Sequence, residues 1–277
     1  MAAARVSDRH RTAFVTGAST GLGRAFATML LDEGVRVWGT ARDPARLADL
    51  AAGHPGRFSP VAFDLRQPQV ADAAWRAAAA EAGGIDLLVN NAGFGLFAEF
   101  AAIDFERWRD QLEVMLVQPA RLVHAALPAM LARHQGAIVN ISSLAAEFPL
   151  PFQSAYNMAK SGLTALSNSL MIETSGTGVV VLDVRPGDYR TDFDRSLDRP
   201  QAAPGPRLGR AWDAFSAMMR SGPPPEHAAA ALRRALLRHR SGTVRTGRVL
   251  QAVVAPFIAR FGSLALQRRI QAWYFKV

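Results

Sequence analysis

Short apolar runs alternate with longer stretches of helical period along the first 185 residues. The runs fall at 12–16, 35–40, 59–64, 85–90, 137–142 and 179–184. Several are apolar at consecutive positions, as strands covered on both faces must be. Between them apolar residues recur every three or four positions, which predicts helices over 21–33, 44–52, 69–82, 104–133 and 153–175. Asp43-Pro44 supplies an N-cap followed by proline at the first helical position. Strands and helices in alternation are the βαβ pattern, so the expected fold is α/β, a doubly wound parallel sheet.

The pattern changes at residues 188–226, where Pro200, Pro204, Pro206 and Pro223–Pro225 accompany Gly205, Gly209 and Gly222. A long insertion around one short helix, Trp212–Arg220, is placed where lids sit. A helix over 226–240 and a short strand near 243–249 follow, then an apolar, arginine-studded tail from about residue 250. The chain shows no internal repeat and no linker long enough to divide it. It therefore reads as one domain with a core of about 10–187, a substrate lid of about 188–226 and a helical tail of about 250–277.

Composition narrows the chemistry. With 49% hydrophobic and 20% charged residues, a disordered chain is excluded. The absence of Cys removes disulfides, thiolate metal sites and cysteine nucleophiles, and no metal site is expected. No run approaches 18 uninterrupted apolar residues, and the first residues have no apolar segment of the signal-peptide kind, so a soluble cytoplasmic protein is the expectation. The net charge of +9 is uneven: residues 1–206 hold 19 basic and 21 acidic residues, residues 207–277 hold 13 and 2. Only two of the 32 basic residues are lysines, Lys160 and Lys276. A lysine kept in so arginine-rich a chain invites a chemical reason, since only lysine presents a compact ammonium.

After the first strand comes Thr16-Gly17-Ala18-Ser19-Thr20-Gly21-Leu22-Gly23. Glycines there permit a tight turn, let backbone approach a pyrophosphate and let helix pack on strand, and the helix N-terminus that follows offers free N–H groups to phosphates. Position after strand one favours nucleotide binding over a plain strand-to-helix turn. A carboxylate at the end of the second strand would hold a ribose 2′-hydroxyl and repel a 2′-phosphate. This chain has Ala41-Arg42 instead, while Asp43 is assigned to helix capping. Arg42 reads either as a phosphate ligand or as an ordinary solvated arginine; the former points to NADP(H) rather than NAD(H).

Across residues 12–191 these motifs continue in order: Asp64-Leu65, Asn90-Asn91-Ala92-Gly93, Ser142-Ser143, Tyr156-Asn157-Met158-Ala159-Lys160, then Pro186-Gly187 with Thr191. In this the chain resembles the short-chain dehydrogenase/reductase family, whose fold is of the Rossmann type. The resemblance implies that Gly17, Ser19, Thr20, Gly21, Leu22 and Gly23 hold the cofactor phosphates, and that Asp64 and Leu65 contact the adenine side. It implies that Asn90, Asn91, Ala92 and Gly93 support cofactor and sheet, and that Pro186, Gly187 and Thr191 lie by the nicotinamide amide. Ser143, thirteen before Tyr156, is implied as the catalytic serine in preference to Ser142. One position departs: where the family has an asparagine in the helix after the Asn-Asn-Ala-Gly turn, this chain has Met115. Pro119 has no N–H for the Met115 carbonyl. Either that free carbonyl keeps a lysine–water relay by backbone alone, or proton exchange is slower.

The chemistry of Tyr156 and Lys160 also follows from spacing. Residues i and i+4 share a helix face, so phenol and ammonium can be neighbours. A nearby cation, together with an oxidised nicotinamide, favours the phenolate and brings the phenol toward working pH. Ser143 would bind the same substrate oxygen. Phe94, Phe97, Phe148, Leu150, Phe152, Tyr189, Phe193, Trp212, Phe215 and Met218 are candidate walls of a lipophilic carbonyl or alcohol site, with Arg190 and Arg195 the nearby cations. The expected activity is hydride transfer between NADP(H) and such a substrate. The rival is a protein that binds NADP(H) as a sensor or scaffold without catalysis, and a lyase or epimerase remains a third option. The basic tail, with its interspersed aromatics, suits peripheral contact with an anionic membrane or packing over the pocket or a partner subunit. Nucleic acid is not expected, because no recognition motif accompanies the charge. A homodimer or homotetramer is the expectation drawn from similar proteins.

Overall fold

The computed structural model describes residues 4–191, 197–199, 205–259 and 261–277. Seven strands, β1 (Thr12–Val15), β2 (Arg36–Ala41), β3 (Phe58–Ala62), β4 (Leu87–Asn90), β5 (Gly136–Ile141), β6 (Val179–Pro186) and β7 (Gly242–Thr246), form one sheet. Their order is β3-β2-β1-β4-β5-β6-β7, and every adjacent pair is parallel. The expected doubly wound α/β fold is therefore the observed one, with the crossover reversal between β1 and β4. In such sheets ligands sit beyond the carboxyl ends of the strands at that reversal.

Alternation along β1 shows how the two faces are made. Ala13 and Val15 point into one apolar layer with Phe26, Leu30 and Leu31 of α1 (Gly21–Asp32) and Leu232 and Leu236 of α8 (Pro225–Arg238). Phe14 points to the other, where it meets Trp75 of α3 (Pro68–Ala82) edge-on, with ring centroids 5.2 Å apart. Leu122, Val123 and Met130 of α5 (Gln118–Ala132) and Ala159 and Leu170 of α6 (Ser154–Glu173) complete that second layer. The short α2 (Ala48–Gly53) follows a 3-10 turn at Pro44–Leu47, and Asp43 caps that turn by accepting from the Ala45 amide at 3.0 Å.

The single helix expected over 104–133 is interrupted. α4 (Phe105–Leu112) runs into a π turn at Glu113–Val117 before α5 begins. Pro119 explains the change of period: lacking an N–H, it cannot close the bond to the Met115 carbonyl, and the chain widens so that the Gln118 amide donates five residues back to Glu113. Among the described residues, Phe105–Ala132 is the one helix long and apolar enough to cross a membrane; its buried face lies in the second core layer. α7 (Pro206–Arg220) is longer than the sequence predicts, with proline at its first turn. β7 ends at Thr246 rather than 249, where Gly247 takes φ +143° against Gly187. The tail consists of a π turn (Leu250–Val254) leading into α9 (Ala255–Ala259), then α10 (Leu264–Tyr274).

One buried group far from the cleft makes stability depend on pH. His10 is 1% exposed, its ring 5.8 Å from that of His239, and neither of its nitrogens has a hydrogen-bond partner among the described residues. Burial, with the neighbouring His239 and Arg9, holds the imidazole down from 6.5 to about 4, against an opposing pull from Asp86. The unfolded chain thus takes up this proton first as pH falls. The stabilisation is complete above about pH 6.5 and is lost on descending to about pH 4, amounting to about 3 kcal/mol. Denaturant titrations from pH 7 to 4 should show that loss in the native chain and a much smaller one in His10→Phe; parallel curves would remove His10 as the cause.

Candidate active site

A cleft of about 1690 Å³ opens at the carboxyl ends of β1, β4, β5 and β6. Gly17, residues 19–23, Arg42, Asp64 and Leu65, residues 91–93, Ser143, Tyr156, Lys160, Pro186, Gly187 and Thr191 all line it. One topological feature brings them together: parallel strands deliver all their following loops to the same edge.

The glycine turn is packed too closely for side chains. Gly17 takes φ +69°, and a Cβ there would stand 3.0 Å from the Ala92 Cα. At Gly23 a Cβ would meet the Gly17 carbonyl oxygen at 2.1 Å. Thr16 holds this turn to the next loop: its hydroxyl accepts from the amides of Asn91 and Ala92, both at 2.9 Å. The Asn91 side chain returns a bond to the Thr16 carbonyl at 3.0 Å. Asn90 stands behind, buried, donating to Asn140 at 2.9 Å rather than facing the cleft. Thr191 lies over Gly21, a Cβ on which would come within 3.3 Å of it. The result is a backbone-lined cradle at a helix N-terminus, the shape and polarity a dinucleotide pyrophosphate requires.

Beyond the end of β2 the cleft is cationic. Arg42 is joined by Arg46 and Arg66, neither of which the sequence motifs point to; all three are exposed and line the cleft. Arg66 lies 5.3 Å from the Phe94 ring centroid. Asp43, which caps the following turn by accepting from the Ala45 amide, also lines the cleft beside Arg42.

At the other end α6 carries Tyr156 and Lys160 one turn apart, with the lysine nitrogen 5.7 Å from the tyrosine ring centroid. Lys160 is 5% exposed and donates to the Ile141 carbonyl at 2.7 Å. The hydroxyls of Tyr156 and Ser143 are hydrogen-bonded to each other. Ser143 also accepts from the Ala145 amide at 3.0 Å, which caps a 3-10 turn and orients its oxygen. Its neighbour Ser142 points away, bonded to Asp183 and to the Val184 carbonyl.

Charges behind the trio set their protonation. Burial lowers the Lys160 ammonium from 10.5 to about 8, and the fully buried Asp183 opposes that fall. Asp183 is itself held by Arg185, which also reaches Glu147, and Glu147 takes Arg245 at 2.7 Å. Burial pushes the Tyr156 phenol above its ordinary value; the Ser143 hydrogen bond draws it down, and the Asp188 charge pushes it further up. A phenol at its ordinary value of 10 is already protonated at neutral pH, and these groups leave it so. The lowering expected of this phenol belongs to a site that also holds an oxidised nicotinamide beside Lys160. The fully buried Met115 fills the wall beside Gly93, on which a Cβ would stand 3.0 Å from its Cε.

The expected apolar wall divides into two groups. Phe94, Phe148, Leu150, Tyr189, Phe215 and Met218 line the cleft. Phe97 instead anchors a third core with Phe152 and Trp212, at centroid distances of 5.9 and 5.3 Å, so these three support the cleft from outside its surface. Arg190 is exposed and away from the cleft. Phe193 and Arg195 lie outside the described residues. Asp188 and Gln251, side-chain bonded to each other, are polar cleft residues that the motifs do not reveal, because a loop and the tail meet only in the fold.

A family model described as short chain dehydrogenase matches residues 11–202. The chain is 33% identical to 3-oxoacyl-(acyl-carrier-protein) reductase FabG of Vibrio cholerae serotype O1, over 75% of this chain and 88% of that protein. A crystal structure of a short-chain dehydrogenase from Streptomyces avermitilis is similar at a TM-score of 0.84 with 31% identity, covering 94% of this chain and 97% of that one. A metagenomic short-chain oxidoreductase in complex with NADP is similar at 0.66 with 31% identity, covering 84% of this chain and 92% of that one.

Proposed function

The chain belongs to the short chain dehydrogenase family, an NAD(P)-dependent oxidoreductase acting on a CH–OH/C=O pair, and we propose that it is a cytoplasmic enzyme reducing lipophilic carbonyls with NADPH through Ser143, Tyr156 and Lys160. The observation that carries this reading is the convergence of a hydrogen-bonded Ser143–Tyr156 pair and a buried lysine beside a glycine cradle in one cleft. When bound, the nicotinamide supplies the hydride.

The residues divide the remaining work. The cradle of residues 17–23 takes the phosphates, and Arg42, with Arg46 and Arg66, supports a 2′-phosphate. The metagenomic oxidoreductase similar to this chain is described in complex with NADP. Ser143 donates to the substrate oxygen as charge grows on it. Tyr156, a phenol protonated across neutral pH, gives that oxygen its proton. Lys160 stabilises the phenolate left behind. Apolar walls from Phe94, Phe148, Leu150, Phe215 and Met218 match an apolar substrate body and exclude water. A homodimer or homotetramer accompanies this reading, in keeping with similar proteins.

The test is consumption of reduced-nicotinamide absorbance over a panel of apolar ketones and aldehydes. NADPH is expected to be turned over and to bind more tightly than NADH. Arg42→Ala should weaken NADPH about tenfold, the loss of one charge-assisted contact, and leave NADH nearly unchanged. Equal affinities in the native chain would remove the NADP preference. A panel without turnover would favour the binding-only alternative.

A further inference from the structure

Resting on the reading of the cleft as a site for apolar substrates, we infer that the two C-terminal helical segments dock on an anionic phospholipid bilayer and open the cleft toward it. Seventeen large apolar side chains are exposed among the described residues, and eleven of them fall between Val249 and Tyr274. Single exposed apolar residues are ordinary, but a contiguous patch marks a surface that something covers.

Helical geometry ties this patch to the cleft. Along Leu250–Ala259, the residues Leu250, Val254 and Ile258, spaced by four, line the cleft. Val253 and Phe257 form the neighbouring stripe, both 62% exposed, and Phe261 beyond them is 79% exposed. Phe257 and Ile258 are consecutive on α9, so exposed and cleft-lining side chains adjoin on that helix. Apolar side chains of this segment thus lie both on the cleft wall and on the exposed surface beside it. On α10, Leu266 and Ile270 line the cleft while remaining about half exposed, at 49% and 50%.

Charge selects the occupant. Residues 249–277 contain four Lys or Arg (Arg260, Arg268, Arg269 and Lys276) and no Asp or Glu. Two copies of the chain meeting here about a two-fold axis would set cations against cations with no acid to pair them. Anionic headgroups instead suit Arg268 and Arg269, exposed on α10, whose long stems can lie along apolar surface. Trp273, 78% exposed near the end of α10, presents the amphipathic ring favoured at the headgroup level. A carbonyl compound dissolved in the bilayer would then reach the Tyr156 hydroxyl through the cleft.

Flotation of the full chain with phospholipid vesicles tests this. The native chain is expected to float with phosphatidylcholine vesicles containing phosphatidylserine and to stay behind with phosphatidylcholine alone. Phe257→Glu/Phe261→Glu changes two exposed side chains outside the cleft lining. It should lower the floated fraction about tenfold and the turnover of a long-chain ketone carried in the vesicles by a similar factor. Turnover of a short, water-soluble ketone should be unchanged. A native chain that never floats overturns the inference, and so does a concentration-dependent dimer in sedimentation that the two glutamates dissociate. Flotation without turnover of any carbonyl would leave the docking standing and sink the oxidoreductase reading together with substrate delivery.

Discussion

Tyr156→Phe is expected to lower kcat for carbonyl reduction about 10³-fold, the scale of a lost general acid, while the dissociation constant for NADPH changes by less than about threefold. The two effects separate because the substitution removes one oxygen and little else. The ring of Tyr156 packs against the second core layer and keeps its shape as phenylalanine. Its hydroxyl faces Ser143 in the cleft, so the loss falls on proton transfer rather than on packing. Lys160 retains its bond to the Ile141 carbonyl. Single-turnover kinetics with saturating NADPH measure the first effect, and quenching of protein fluorescence by NADPH the second. Undiminished turnover would end the assignment of the phenol as the acid; a parallel collapse in NADPH affinity would move Tyr156 to cofactor binding.

Gly23→Ala should be as damaging by a different route. Its new methyl carbon would fall 2.1 Å from the Gly17 carbonyl oxygen and 2.4 Å from the Asn91 amide nitrogen. The first of these neighbours is backbone, which no rotamer change relieves. Either α1 moves away from the turn or the turn unwinds, and both redirect the amides meant for the phosphates. A loss of NADPH affinity of about 100-fold, near 3 kcal/mol, is expected. The melting temperature of the cofactor-free chain, read by circular dichroism, separates lost binding from lost folding. Gly53→Ala provides the control: a Cβ there has nothing within 4 Å, and α2 gains a better helix former. Equal NADPH affinity in the two variants would show that close packing at Gly23 is immaterial.

Much of this site could be read from spacing, because its motifs are local. The glycines of residues 17–23 precede a helix, Tyr156 and Lys160 share a helix face, and each signal lies within one or two turns of chain. The parallel fold then carries them to the same strand edge. Signals that failed were those in which a helix or side chain answers to something distant. The periodicity across 104–133 predicts one helix; a single missing amide at Pro119 converts its middle into a π turn. Phe97, Phe152 and Trp212 look like pocket aromatics by position, yet they find one another instead. Arg46 and Arg66 gain meaning only because β2 and β3 end side by side at the cleft.

From its residues alone this chain determined a parallel α/β sheet, a glycine turn and a tyrosine–lysine pair, since each depends on period and on neighbours a few positions away. The fold alone decided which of two adjacent serines meets the tyrosine. Strand β5 ends at Ile141, and the next two side chains part company, Ser142 toward buried Asp183 and Ser143 toward Tyr156. It also decided how deeply Lys160 is buried, which lowers its ammonium, because water is excluded there by segments remote in sequence. Burial is a property of the packed whole, and no short stretch of sequence contains it.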